Sequence, residues 1–195
     1  MQHPHVVREH YDRLAGDYDR RWADYISAST RQTLARARFA PGESVLDVGC
    51  GTGSLRKASG IDMIGVDLSA AMLARAAGAR AAADVAALPF PAQTFDVVAS
   101  VSSLHYWPDP VGALTEIRRV LQPTGRLVLT DWCDDYIACR ICDRVLRIVD
   151  RAYVRAYGVR ALRQLLERAG FRAITIEHYK IGWLWGLMTA VGHQR

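Results

Sequence analysis

The apolar run Val45-Leu46-Asp47-Val48 passes directly into Gly49-Cys50-Gly51-Thr52-Gly53, which packs three glycines into five positions. A short run of this kind, apolar almost throughout, reads as a strand covered on both faces. Glycine is needed where the chain turns sharply, or where another group must reach the backbone with no Cβ in between. A helix that starts at such a loop aims its free N–H groups and the positive end of its dipole at whatever the loop holds. Strand, glycine turn and helix form the opening unit of an open α/β sheet. In such sheets ligands sit beyond the carboxyl ends of the strands, where strand order reverses.

The remaining sequence continues the alternation. Strands are expected at Ser44–Val48, Met63–Val66, Ala81–Ala83, Phe95–Val101, Arg126–Asp131, Ala173–Tyr179 and Trp183–Ala190. Helices are expected near Thr52–Ser59, Ala70–Ala77, Pro110–Leu121 and Val159–Ala169, with an extra helix over Asp135–Val149. ALTEIRRVL places Leu114, Ile117, Val120 and Leu121 on one helical face. The segment around RQLLERAG does the same with Leu162, Leu165, Leu166 and Ala169, and Gly170 supplies a left-handed stop. The segment before residue 40 reads as two or three helices, the last over Ser27–Arg38. Only KIG separates the final two strands, which suits an antiparallel hairpin. The expected fold is α/β: a Rossmann-like, mostly parallel sheet with helices on both faces and an N-terminal helical cap.

The chain has 195 residues, which suits one domain. Its net charge of +5 is spread along the chain with no long run of like charge, so a solvated basic surface is expected rather than a nucleic-acid face. Cys50, Cys133, Cys139 and Cys142 are too sparse and uneven for a disulfide scaffold. The first residues are polar and charged, and no apolar run reaches the roughly 18 residues of a membrane span, so a cytoplasmic setting is expected.

The loop chemistry narrows the ligand. A dinucleotide fingerprint is G-x-G-x-x-G, whereas here the spacing is G-x-G-x-G and Ser54 stands at the third glycine's place. Asp47, two residues before the first glycine, would repel a pyrophosphate and suits a ligand that carries an ammonium group. Asp67 in IGVDLS lies 20 residues after Asp47, at the end of the second strand, where a carboxylate can accept two ribose hydroxyls.

At D-V-G-C-G-T-G, Asp47 to Gly53, the sequence resembles the first motif of the class I S-adenosylmethionine-dependent methyltransferases. The resemblance runs from about Tyr11 to the C-terminus and is closest to the small-molecule branch that includes the ubiquinone and menaquinone C-methyltransferases. It implies a seven-stranded sheet with a reversed last strand. It also implies one methyltransferase domain: a helical cap to residue 40, a cofactor-binding core over 41–132, and a substrate-side half over 133–195. It implies that Asp47, Gly49, Gly51, Gly53 and Asp67 hold S-adenosylmethionine, with Leu68 and Met72 flanking the adenine. In ADVAALPF, Asp84 would accept from the adenine amino group and Val85 would offer its amide. In FDVVASVSSLHYW, Ser100 and Val101 would lie beside the methionine moiety. YDRLAGDYD resembles the cap of this branch, which makes Tyr11 and Tyr18 candidates to close over the cofactor; simple packing of an amphipathic helix is the alternative.

Methyl transfer mainly requires an acceptor held behind the methyl group and shielded from water, and it needs a base only when the acceptor arrives protonated. His105, just past the fourth strand, is the candidate base, with a structural histidine as the alternative. Tyr106 and Trp107 are candidate pocket walls. No proline-proline-aromatic tetrapeptide follows the fourth strand and no Pro-Cys pair exists, which speaks against nucleic-acid bases as acceptors. A small apolar or ring-bearing acceptor is therefore expected. Cys133, Cys139 and Cys142 leave open an arsenite-type methyltransferase, since three thiolates suit a soft ion; buried structural cysteines, with no bound metal, are the alternative. A cofactor-binding protein that transfers nothing, and a nicotinamide-dependent oxidoreductase, are the other readings. Neither the acceptor atom nor the oligomeric state is legible.

Overall fold

Val45–Val48 forms β1, and all four residues are buried. In the computed structural model, which describes residues 3–194, β1 is a central strand of a seven-stranded sheet. The others are β2 (Ile64–Asp67), β3 (Arg80–Ala82), β4 (Phe95–Val101), β5 (Leu121–Trp132), β6 (Arg172–Lys180) and β7 (Gly186–His193). Their order is β3-β2-β1-β4-β5-β7-β6. The first five pair in parallel, and β7 inserts antiparallel between β5 and β6. Strand order reverses between β1 and β4, so the crevice expected in an open sheet opens there.

Three helices precede the sheet: α1 (His3–Leu14), α2 (Tyr18–Arg21) and α3 (Ala23–Ala37). The others are α4 (Ser54–Ser59), α5 (Ala70–Leu73), α6 (Pro110–Val120), α7 (Ile137–Val149) and α8 (Val159–Arg168). Period-two alternation divides the core between the two faces of the sheet. Leu46, Val48, Val98, Leu127 and Leu129 join Leu114, Ile117, Leu162 and Leu166 from α6 and α8. Val45, Val97, Ala99 and Val128 face Leu34 and Ala37 of α3 and Leu55 of α4. Phe95 breaks parity: it lies with Val98 rather than Val97 because the β4–β5 register shifts between Phe95 and Val97. Phe95 pairs with Leu121 and Val97 with Arg126, so Gln122–Gly125 bulges out of the ladder.

Several boundaries differ from the sequence expectation. β7 begins at Gly186 rather than Trp183, and the connection is Ile181–Trp185 rather than KIG. Trp185 leaves the strand because its ring packs against Trp22, Tyr25 and Trp132. α5 stops at Leu73 rather than Ala77; beyond it the Arg75 and Ala76 amides bond three residues back, and Gly78 turns left-handed. α3 starts at Ala23, four residues before Ser27. α8 ends as expected in a left-handed Gly170, with the Phe171 amide donating to Leu166 O.

Phe95 is almost fully buried and meets Phe90 edge-on at 5.0 Å. Phe95→Ala is expected to lower stability by about 3–5 kcal/mol in denaturant unfolding, because it leaves a cavity in the core.

Candidate functional site

The glycine loop hangs from the end of β2. The Gly49 and Cys50 amides both donate to Val66 O, at 2.8 and 3.0 Å. The Gly51 amide donates to Asp67 Oδ2 at 2.9 Å, and the Ser69 amide to Asp67 Oδ1 at 2.9 Å. Gly49 has φ +69, and a Cβ there would come within 2.8 Å of Ser103 Cβ. Both backbone freedom and space therefore require glycine at this position.

A cleft opens above this loop. It is lined by Tyr11, Tyr18, Gly49, Gly51, Asp67, Leu68, Met72, Asp84, Val85 and Val101, so the structure brings ten of the sequence candidates together. Asp47 lines an adjoining recess with Gly49, Gly51, Tyr18 and the α3 residues Ser29 and Thr30. Gly53 and Ser100 line neither. Gly53 caps α4 and packs on Ala76, while Ser100 Oγ donates to Val48 O at 2.8 Å and ties β4 to β1. Asp84 Oδ1 accepts its own Ala86 amide at 3.0 Å.

The electrostatics favour a cationic ligand. Among the described residues, neither cleft nor recess is lined by Lys or Arg. Burial, followed by the charge of Asp67, pushes the Asp47 carboxyl up to about 7. Burial also raises Asp67, against the opposing pull of the Ser69, Gly51 and Leu68 amides. Two desolvated carboxyls lose that penalty when a cation arrives. A pyrophosphate would find no counter-charge here.

Helices α1 and α2 close the cleft through polar anchors that sequence reading missed. Asp12 accepts from Ser69 Oγ at 2.5 Å and from the Ala71 amide at 3.3 Å. Asp19 accepts from Thr52 Oγ1 at 2.6 Å, and His3 Nε2 donates to Tyr106 O at 2.9 Å. Tyr11 lies edge-on to Tyr18 and Tyr106 at 5.9 and 5.4 Å, and burial pushes the Tyr18 phenol up to about 12.

His105 lines a second, aromatic cavity. Its walls include Trp22, Tyr25, Trp132 and Trp185, with Ile141, Cys142 and Val145 from α7. It shares Tyr11, Tyr18, Ser102 and Tyr106 with the first cleft, so the two meet there. Ser102 is left-handed at φ +58, an uncommon state for a residue other than glycine, and its Oγ lies 2.7 Å from Tyr25 Oη. His105 Nδ1 sits 2.6 Å from Asp131 Oδ1, with both residues buried. Asp131 is the functional candidate that sequence reading passed over; the signal was the acid in TDW at the end of β5. A carboxylate oxygen accepts, which assigns the Nδ1 proton to the bond with Asp131 and leaves Nε2 outside it. The ring stacks on Trp132 at 4.5 Å and 16°. Trp107, the other candidate wall, lines the first cleft instead.

The three later cysteines are neighbours but make different side-chain contacts. Cys139 Sγ lies 3.3 Å from Gly186 O, and Cys142 lines the aromatic cavity. Cys133 Sγ gathers instead with Asp135 and His178, their ligand atoms within 4.8 Å of one another. Burial pushes the Cys133 thiol up to about 12, and Asp135 Oδ2 already accepts the Val159 amide.

Comparison with known proteins agrees with this architecture. Residues 46–129 match the methyltransferase domain family. The chain is similar to the 27-O-demethylrifamycin SV methyltransferase of Amycolatopsis mediterranei, 31% identical over 66% of this chain and 59% of that enzyme. It is similar to the demethylmenaquinone methyltransferase of Lactiplantibacillus plantarum, 37% identical over 64% of this chain and 61% of that one. The chain thus spans about three fifths of these relatives. A solved S-adenosylmethionine-dependent methyltransferase from Thermotoga maritima, a possible histamine N-methyltransferase, superposes with a TM-score of 0.83 at 20% identity, over 97% of this chain and all of that one. Residues 46–129 thus carry a methyltransferase domain, and the chain as a whole has the fold of a solved S-adenosylmethionine-dependent methyltransferase.

Asp47 gives the site a pH signature. An unfolded aspartate ionises near 3.8, so between about 4 and about 7 the folded chain keeps a proton that the unfolded chain has lost. Stability of the ligand-free protein therefore falls as pH rises through that window. Asp47→Asn is expected to flatten the fall, as read from urea unfolding across the same range.

Proposed function

We propose that the protein transfers the methyl group of S-adenosylmethionine to a hydroxyl of a small, apolar, ring-bearing molecule. The carrying observation is the His105–Asp131 pair, set in an aromatic cavity that meets the glycine cleft at Tyr18 and Ser102.

In this reading the cleft residues hold the cofactor: Asp67 accepts the ribose hydroxyls, and Asp47 faces the ammonium end. Gly49, Gly51 and Gly53 shape the turn beneath it, with Gly53 acting through the start of α4. Leu68, Met72, Asp84 and Val85 enclose the adenine, while Tyr11 and Tyr18 close the cap. Val101 lies beside the methionine end, and Ser100 holds the strand that carries it. Bound there, S-adenosylmethionine supplies an electrophilic methyl group on a sulfonium. The acceptor lies among Trp22, Tyr25, Trp132 and Trp185, whose rings exclude water. His105 Nε2 removes the hydroxyl proton, and Asp131 fixes the tautomer and stabilises the imidazolium that forms.

The likeness to relatives named for a demethylrifamycin and for a demethylmenaquinone supports a small-molecule acceptor. The test is transfer of label from methyl-labelled S-adenosylmethionine to a panel of phenols, quinols, amines and thiols. Label in a phenol or quinol ether is expected, with His105→Ala lowering kcat by roughly 10²–10⁴-fold and leaving cofactor affinity within about twofold. Label only in amines or thiols would overturn the hydroxyl reading. Cofactor binding without transfer to any acceptor would leave a binding protein.

A further inference from the structure

Helix α7 is packed the opposite way round from an ordinary surface helix. Its inner face carries Cys139, Asp143 and the half-buried Leu146, and polar contacts hold it to the domain. Cys139 Sγ meets Gly186 O, while Asp143 Oδ1 accepts from the Tyr153 hydroxyl at 3.0 Å and the Ala156 amide at 2.6 Å. Its outer face carries Ile137, Ile141, Val145, Ile148 and Val149, between 51% and 85% exposed. An amphipathic helix on a water-facing surface normally shows the reverse arrangement. Trp183 is 86% exposed in the β6–β7 turn, and that turn runs beside α7, with Leu184 O 3.8 Å from Cys139 Sγ.

Charge is as one-sided as hydrophobicity. Arg140, Arg144 and Arg147 recur every three or four residues of α7, so they share one flank beside the apolar stripe, and Arg151 follows just beyond the helix end. All four are exposed, and the exposed residues of α7 include no acid. Arg147 pairs with Asp143 at 2.7 Å, whereas Arg144 and Arg151 form no ion pair among the described residues.

We propose that this face docks the protein on an anionic lipid surface, with α7 lying in the plane of the interface. An apolar stripe with an indole ring at its edge suits the acyl boundary, and a row of guanidinium groups suits lipid phosphates. A second copy of the chain would bring the same arginine row and no acid on this helix to meet it. Among the described residues no helix is long and apolar enough to cross a membrane, so the contact is at the surface. Ile141 and Val145 belong both to the exposed stripe and to the wall of the aromatic cavity. A docked protein would therefore open that cavity toward the lipid. This last consequence rests on the acceptor reading above; the docking does not.

The test is co-sedimentation of the whole protein with vesicles of phosphatidylcholine alone and of phosphatidylcholine with about one third phosphatidylglycerol. Binding to the anionic vesicles, at least about tenfold tighter than to the neutral ones and weakened by salt, is expected. Ile148→Asp should weaken it about tenfold, and the double variant Arg144→Glu, Arg151→Glu should remove the anionic preference. None of these residues lines a cavity, and near-ultraviolet circular dichroism of each variant shows whether it has folded. Absence of co-sedimentation with both vesicles, or binding that folded variants leave unchanged, would overturn the proposal. So would a dimer in sedimentation velocity that Ile148→Asp dissolves, which would make the face a self-interface. Vesicle binding needs no turnover, so its failure is separable from failure of methyl transfer.

Discussion

The hydrogen bond from the Gly51 amide to Asp67 joins the two halves of the site. It fixes the glycine loop to the end of β2, and with the Gly49 and Cys50 amides on Val66 O it leaves the loop no freedom to close over the cleft. The carboxylate that makes this bond is itself desolvated, as is Asp47 beneath it. A buried and a half-buried acid with no basic residue on the cleft wall are costly, and a positively charged ligand relieves the cost. The same constraint explains why the cap is fastened by polar anchors. Asp12 and Asp19 bind Ser69 and Thr52, which belong to the very segments that shape the cleft.

The acceptor side depends on the ends of two neighbouring strands. β4 turns at Ser102 into the short helical turn that holds His105, and β5 ends at Asp131 and Trp132. Parallel pairing of β4 with β5 sets these groups side by side, with Val101 opposite Thr130. Asp131 can then hold the imidazole edge while Trp132 stacks on its face. Strand register, rather than loop flexibility, fixes the pair.

Much of this was legible from residue order. Apolar strands, the three glycines and the spacing to Asp67 announce the doubly wound sheet and its cleft, because each depends on local sequence. The antiparallel pairing of the last two strands was suggested by the short final connection, though neither the place of β7 beside β5 nor its start was: Trp183 and Trp185 look like strand residues and instead serve a turn and an aromatic cluster. The early end of α5 was hidden in helix-friendly alanines, since Gly53 packing on Ala76 is a tertiary contact. Asp131 passed as an ordinary strand-end acid because its partner lies 26 residues away. The inverted packing of α7 was likewise invisible, as periodicity reveals that a helix has two faces and not which one turns inward.

The most direct measurement is calorimetric titration of the protein with S-adenosylmethionine, with its demethylated product and with a nicotinamide dinucleotide, repeated on Asp67→Ala. One-to-one, micromolar-range binding of the first two is expected, with none of the dinucleotide and at least about tenfold weaker binding in the variant, as for lost hydrogen bonds to a charged group. Failure of the wild-type protein to bind either sulfur ligand, or preference for the dinucleotide, would contradict this.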